Sequence, residues 1–468
     1  MDTVPDDVIL LIGDCLEDRG DCYNAVLVSR RFHTLFSRAL FRSAALKNLV
    51  QVQLLLKAIV RQPRLASVIR SLDLSLWESA PAQPIFSPDD LAQLSTWTKD
   101  FSYSQEEHLQ WERDLLDNEE EAWIALVLSL ANNIKQLKLA YPRENKYINR
   151  MFDRAVNLGS SHERPVFLRL EEVSLSHMED ELSKGSFSPA QLRPFFQMPS
   201  MRSVSADTVI EPVLSNGDNA PIADEEANQS LAEELSQTSQ ITEITLNTSN
   251  ASHGLDTLLN MCPSLNSLKY QHSDDHALAL GFQPSSFFSS LSSTTKPNLQ
   301  TLWLDNLGTH HAFTSNGLNE TYDGYFGSLA EFTALKDLRI RLPNLLDAGY
   351  TFEPATPLTE ILPSSIERVY VESCKENSLP MLVEQLRSLL EVRKERFKGL
   401  QRVDIEGFFH VDDEDLDDSG ADGGAGTGAR VIKEQVFEVA KPLREACEDA
   451  GVQLFLRDRA CAQTMVEA

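Results

Sequence analysis

Leu299-Gln300-Thr301-Leu302-Trp303-Leu304 is one instance of a six-residue unit, apolar-x-x-apolar-x-apolar, that returns along most of the chain. The same spacing recurs at Ile69–Leu74, Ile134–Leu139, Leu170–Leu175, Met201–Ala206, Ile241–Leu246, Leu265–Tyr270, Leu335–Ile340, Ile366–Val371 and Leu400–Ile405, with a weaker form at Leu454–Leu456. From the unit ending at Leu139 to the one ending at Ile405, eight intervals span 266 residues, about 33 each. The middle of each unit alternates apolar and polar residues, as a half-buried strand does. Helix-like stretches such as Glu121–Leu130 and Met381–Leu390 separate the units. Chance supplies many single units of this kind, but ten in ordered spacing are strong evidence. Helix then strand at a near-constant period predicts an αβ solenoid with a parallel curved sheet.

The chain opens with an amphipathic stretch of another kind. Pro5 sits where a first helical turn tolerates it, and Asp6 and Asp7 complement the positive end of the helix dipole. Val8, Ile9, Ile12 and Leu16 recur near the 3.6 period and form an apolar face. Val26, Leu27, Leu35, Phe36, Leu40 and Phe41 follow. Three short helices in about 45 residues cannot bury that much apolar surface among themselves. A further partner or the first repeat helix, about 48–60, must cover it.

Composition bounds what the rest can do. Of the 468 residues, 42% are hydrophobic, enough to bury a core. No apolar run approaches the roughly 20 residues of a membrane helix. The N-terminal stretch is acidic, unlike a secretory signal. Six cysteines (15, 22, 262, 374, 447 and 461) are scattered without a CxxC pair, which suits free thiols in a reducing compartment. The formal charge of −28 opposes general nucleic-acid binding. Polar stretches at 78–104, 214–230 and 308–327 read as surface insertions, and the acidic, glycine-rich tract 412–430 as a disordered loop. A helix from about Val431 to Asp449, with Val436, Val439, Leu443 and Cys447 on one face, and a strand at 452–456 are expected to cap the solenoid.

Two resemblances follow. Val4-Pro5, Asp7, Val8-Ile9, Ile12, Leu16, Asp21-Cys22 and Val28-Ser29-Arg30-Arg31-Phe32-His33 resemble an F-box over residues 4 to about 46. Val4, Asp7, Cys22 and Phe32 stand where that family more often has Leu, Glu, Leu and Trp. The repeats resemble degenerate leucine-rich repeats of the kind that follow an F-box in fungal proteins. Their spacing, 24 to 40 residues, is longer than the usual, roughly 20 to 29. The family's Asn or Cys three residues after the last Leu is not found at Trp77, Pro142 or Leu307. The expected division is therefore an F-box at 1–46, a solenoid at 47–411, the loop at 412–430 and a cap at 431–468.

The F-box resemblance implies that Pro5, Val8, Ile9, Ile12, Leu16, Val28 and Phe32 dock onto the small adaptor that links such proteins to a cullin scaffold. The chain would then be the substrate-recognition subunit of an SCF-type ubiquitin ligase, a non-catalytic part acting by proximity. The alternative is a leucine-rich-repeat interaction scaffold without a ligase role. On the strands, side-chain alternation directs the in-between residues onto the concave face. Among them Trp303, Arg339, Arg341, Arg368 and Tyr370 are candidates for holding a protein substrate, an acidic or phosphorylated segment included, since Trp, Tyr and Arg dominate binding hot spots. The competing expectation is that these charges pair across neighbouring strands and stabilise the sheet.

Catalytic signals are weak. His272 and His276 stand at i and i+4 around Asp274 and Asp275, a spacing a helix could use for a metal, but it falls just after a repeat strand with no third ligand nearby. Exposed loop histidines are the expectation there and at His310-His311. A metal-dependent hydrolase is thus the third reading. No phosphate loop, nucleophile elbow or dinucleotide fingerprint follows a strand. The expectation is no enzyme and no cofactor, no nucleic-acid or membrane partner, and a cytoplasmic or nuclear location.

Overall fold

The computed structural model of the chain describes residues 4–16, 19–79, 85–142, 145–156, 166–178, 185–211, 238–251, 253–273, 283–306, 324–347, 353–410, 431–458, 461 and 465–467. It divides into two compact units, Met1–Asp207 and Thr208–Ala468.

The first unit begins with α1 (Asp6–Asp14), α2 (Arg19–Val28) and α3 (Arg30–Leu40). Ser29 starts α3 as its N-cap, its hydroxyl accepting the Phe32 N–H at 3.2 Å. Arg31 reaches back to Asp6 at 2.6 Å and to the Val4 carbonyl, fixing the start of α1 against α3. Ile9, Val26 and Phe36 form the centre of this small module, with Leu16, Phe32 and Leu40 packed at its edge. Gly13 lets α1 approach closely, because a Cβ there would lie 3.2 Å from the Phe36 ring.

Five parallel strands follow in chain order: β1 (Ser43–Ala45), β2 (Ser71–Leu74), β3 (Gln136–Tyr141), β4 (Glu172–His177) and β5 (Ser203–Asp207). The repeat thus starts at Ser43, inside the stretch assigned from sequence to the N-terminal module. Crossover helices connect the strands. α4 (Leu49–Arg61) buries Leu49, Val52, Leu55, Leu56 and Ile59. Much of the 78–104 stretch is not a loose insertion. Its polar pattern hides α5 (Pro88–Phe101), which together with α6 (Gln105–Leu116) lies against α7 (Glu120–Leu130). That second layer explains why α7 is apolar nearly all round, with Ala122 through Ser129 buried. Trp111 and Trp123 tie the layers, donating to the Ala122 and Leu115 carbonyls at 3.1 Å each. Glu121 meets α8 (Tyr147–Val156) at its N-terminus, accepting the Tyr147 and Ile148 N–H groups at 2.6 Å. α9 (Pro189–Gln197) completes the unit's helices.

The second unit holds β6 (Glu243–Ser249), β7 (Ser267–His272), β8 (Thr301–Asn306), β9 (Asp337–Arg341), β10 (Arg368–Cys374), β11 (Arg402–Gly407) and β12 (Gln453–Arg457), all parallel in chain order. A short β13 (Met465–Glu467) pairs antiparallel with β12. The apolar residues of the hexads line up across strands: Leu302, Leu338, Val369, Val403 and Leu454 are register partners, each at most 3% exposed. One face of each strand is thereby dry, and its alternate residues fall on the other.

The turn position after each hexad is not uniformly lost. Cys374, three residues past Val371, stands there fully buried, and Ser249 fills the equivalent place after Leu246, its hydroxyl accepting the Val209 N–H at 3.0 Å. α10 (Asp256–Leu259), α11 (Pro284–Ser290), α12 (Leu342–Leu345), α13 (Leu358–Ile361) and α14 (Leu379–Glu391) lie between strands. The C-terminal α15 (Glu434–Ala450) buries Val436, Ala440, Leu443 and Cys447. Val439, expected on that face, is half-buried beside Ala440. Buried Asp458, just after β12, accepts the Phe409 and His410 N–H groups at 2.6 and 2.9 Å. Lys433 donates its N–H to the Phe409 carbonyl at 2.7 Å, and His410 bridges Ile432. The tract 412–430, the insertion 214–230 and 308–323 of the third insertion lie outside the described residues.

Candidate functional site

Parallel register places six side chains in one rung across β7 to β12: Lys269, Trp303, Arg339, Tyr370, Asp404 and Phe455. From Lys269 to Tyr370 cations alternate with rings, and Asp404 follows. Lys269 Nζ stands 4.2 Å from the Trp303 ring centre, and the Arg339 guanidinium lies 5.9 Å from Trp303 and 4.5 Å from Tyr370. Arg457 covers Tyr370 at 5.1 Å, and Arg402 covers Phe455 at 4.2 Å.

Acids one step further along the strands complete this arrangement. Arg339 pairs with Asp305 at 2.9 Å and with Glu372. Asp404 accepts from Arg402 and Arg457, each at 2.7 Å, and the Tyr370 hydroxyl donates to Glu406. Burial, and then the neighbouring Asp305, push the Glu372 carboxyl well above the usual carboxylate range. Burial alone would lower the Arg339 guanidinium, but Glu372 and Asp305 outweigh it and raise it. Tyr370 is raised by burial and by Glu406. Buried charge of this kind is tolerable only when its partners are in place.

The charges at the centre of the proposed binding stripe are therefore paired across strands. Trp303, Arg339 and Tyr370 do come together. Arg341 does not join them on the surface: it is 2% exposed and its Nε donates to Ser373 Oγ at 3.2 Å. It ends β9 where the chain turns directly into α12, so strict alternation fails there. Arg368 lies at the strand start, exposed, 3.8 Å from Asp337. Sequence reading missed Lys269, Phe455 and Arg457. Lys269 was legible, since it occupies the same in-between place in its hexad that Trp303 does.

The N-terminal module splits its predicted docking residues between two fates. Ile9 is 3% exposed and belongs to the module's own core, so it is not available to a partner. Leu16 and Phe32 are half-buried, Phe32 stacking on Phe36 at 5.3 Å. Pro5 is exposed. Val8, Ile12 and Val28 are 44%, 51% and 66% exposed, joined by Leu11, Tyr23 and Leu27. The first repeat helix does not cover them.

His272 is the last residue of β7, buried rather than in an exposed loop, with its Nδ1 2.9 Å from the Tyr270 hydroxyl. The hexad's final apolar place is taken by Tyr270, whose hydroxyl needs a polar neighbour inside. Asp274, Asp275, His276, His310 and His311 lie outside the described residues. Among the described residues, no group of His, Cys, Asp or Glu is placed to hold a metal, and no helix is long and apolar enough to cross a membrane.

No curated protein matches the chain. Residues 186–418 match the leucine-rich repeat domain family. The match covers β5 to β11, the stretch that carries the rung from Lys269 to Asp404. The chain thus carries a leucine-rich repeat domain over residues 186–418.

Proposed function

We propose that the chain is a protein-interaction subunit that joins a cullin adaptor, held by α1 and α2, to a protein substrate held by the repeat surface, and that it does no bond chemistry itself. Leucine-rich repeat domains generally bind proteins, which supports the scaffold half of this reading. The ligase half rests on one observation above all: Val8, Leu11 and Ile12 of α1 and Leu27 and Val28 of α2 are left in solvent by a module with its own separate core. Large apolar side chains left exposed in such number on a small helical module are what a protein partner would cover. The F-box resemblance, which includes Val8, Ile12 and Val28, names the partner.

The test is capture of the full chain by the cullin adaptor, against an Ile12→Asp, Val28→Asp variant. Both positions are exposed, so the variant keeps its fold, and loss of capture is expected. Ile9→Asp is a poor control, since it would disrupt the module itself. Equal capture of variant and wild type, or none of either, would leave a leucine-rich-repeat scaffold without a ligase role.

A further inference from the structure

Within the first unit, a cleft of about 370 Å³ opens between the three-helix module and the starts of β1 to β4. It gathers cations in a chain whose formal charge is −28. Arg42, Arg70 and Lys135 line it, together with Ser43, Ser71 and Gln136. The three cations hold one place in three successive repeats, the residue just before β1, β2 and β3. The Arg70 N–H donates to the Arg42 carbonyl at 2.8 Å and the Lys135 N–H to the Arg70 carbonyl at 2.7 Å, so the repeat itself sets them side by side.

The Arg70 guanidinium is anchored on carbonyl oxygens, those of Ser67 at 2.8 Å and Ile69 at 3.2 Å. Burial first, and then Arg169, Arg42 and Arg38, pull it below its ordinary range. Among the described lining residues Glu171 is the single carboxylate, and Lys135 engages it at 2.6 Å. The face of β8 to β11 shows how these repeats treat charge for structural ends: arginines and acids alternate. Here three successive places hold cations before Glu171 takes the fourth and pairs with Lys135.

We propose that this cleft binds a phosphate group carried by a segment of a partner protein. Guanidinium forks match phosphate oxygens in pairs, and the Ser43 and Ser71 hydroxyls add neutral donors, while the Gln136 amide is held by Glu172 at 3.0 Å. The proposal rests on the reading of the chain as a protein-binding subunit, but not on its ligase role.

The test titrates the full chain with inorganic phosphate, followed by ³¹P line broadening at constant ionic strength, and then with a phosphoserine peptide and its serine counterpart. Saturable binding is expected, with the phosphopeptide tighter than free phosphate and the serine peptide silent. Arg70→Gln with Lys135→Gln should weaken it at least tenfold, while Arg387→Gln on α14 of the second unit leaves it unchanged. Lys135→Gln alone, at a side chain 45% exposed, serves where the double variant melts early. Binding unchanged in the variants, absent altogether, or abolished equally by chloride at the same ionic strength overturns the proposal. The readout needs no adaptor, so its failure and failure of the ligase reading are separable.

Discussion

The three-helix module and the β8-to-β12 face treat their reactive surface in opposite ways. On the strands, every named central charge has an internal partner: Arg339 with Asp305 and Glu372, Asp404 with Arg402 and Arg457, Glu406 with Tyr370. In the module, a core centred on Ile9, Val26 and Phe36 leaves Val8, Leu11, Ile12, Leu27 and Val28 in solvent. A charge that already has two partners contributes to register and stability before it contributes to binding. An apolar residue without a neighbour contributes little until something covers it. Residue type alone does not separate the two roles: the arginines and aromatics that suggest a binding surface are also paired into the framework of the sheet.

The largest expected effect breaks the framework. Arg339→Ala leaves Asp305 and Glu372 buried without their cation, and should lower unfolding free energy by about 3–5 kcal/mol in urea titrations. Replacing all three residues by apolar ones of similar volume should recover most of that loss. A small effect of Arg339→Ala would mean the charges are solvated and open to a partner after all. The module supplies the next contrast, on one helix. Ile9→Ala should cost about 2–4 kcal/mol, whereas Ile12→Ala should stay within about 0.5 kcal/mol of wild type. Equal costs at the two positions would show that α1 buries both faces.

The third expectation concerns an acid satisfied by the backbone instead of an arginine. Burial lifts the Glu121 carboxyl to about 7, against the pull of the amide donors at Ile148, Tyr147 and Lys146. A folded value above the ordinary 4.5 favours the protonated form in the fold. This contribution to stability is full below pH 4.5 and is lost as pH rises to about 7. Relative to Glu121→Gln, the wild type should lose on the order of 2 kcal/mol across that window in denaturation series. A flat difference would show that the amides, not burial, govern the group.

Much of the repeat was legible because its signal is local and periodic. Each well-formed hexad enters its strand two residues in, at Thr301 after Leu299, Asp337 after Leu335 and Arg368 after Ile366. Strand β1 was not, since Ser43-Ala44-Ala45 has too little apolar bulk to show a period. Helix α5 was masked by prolines and serines at its start, which are cap residues: Ser87 and Asp90 form a capping box ahead of buried Leu94 and Trp97. At the sites the missing information was three-dimensional. Periodicity put Val8, Ile9, Ile12 and Leu16 on one stripe. Only the position of α3 decides that Ile9 and Leu16 turn inward while Val8 and Ile12 do not. Likewise, the hexad identifies which residues leave the core, but not whether the next strand brings each arginine its acid.

Asp458 has a practical consequence. It grips Phe409 and His410 on one side of the 411–430 tract, and Lys433 on the other side closes on the Phe409 carbonyl, so the flanking residues are held together. Once the ends of a loop are pinned, doubling its length adds only about 0.6 kcal/mol of closure entropy. A fluorescent protein or affinity tag spliced into that tract would hang from a closed clasp, giving an engineer an attachment point bounded by His410 and Val431.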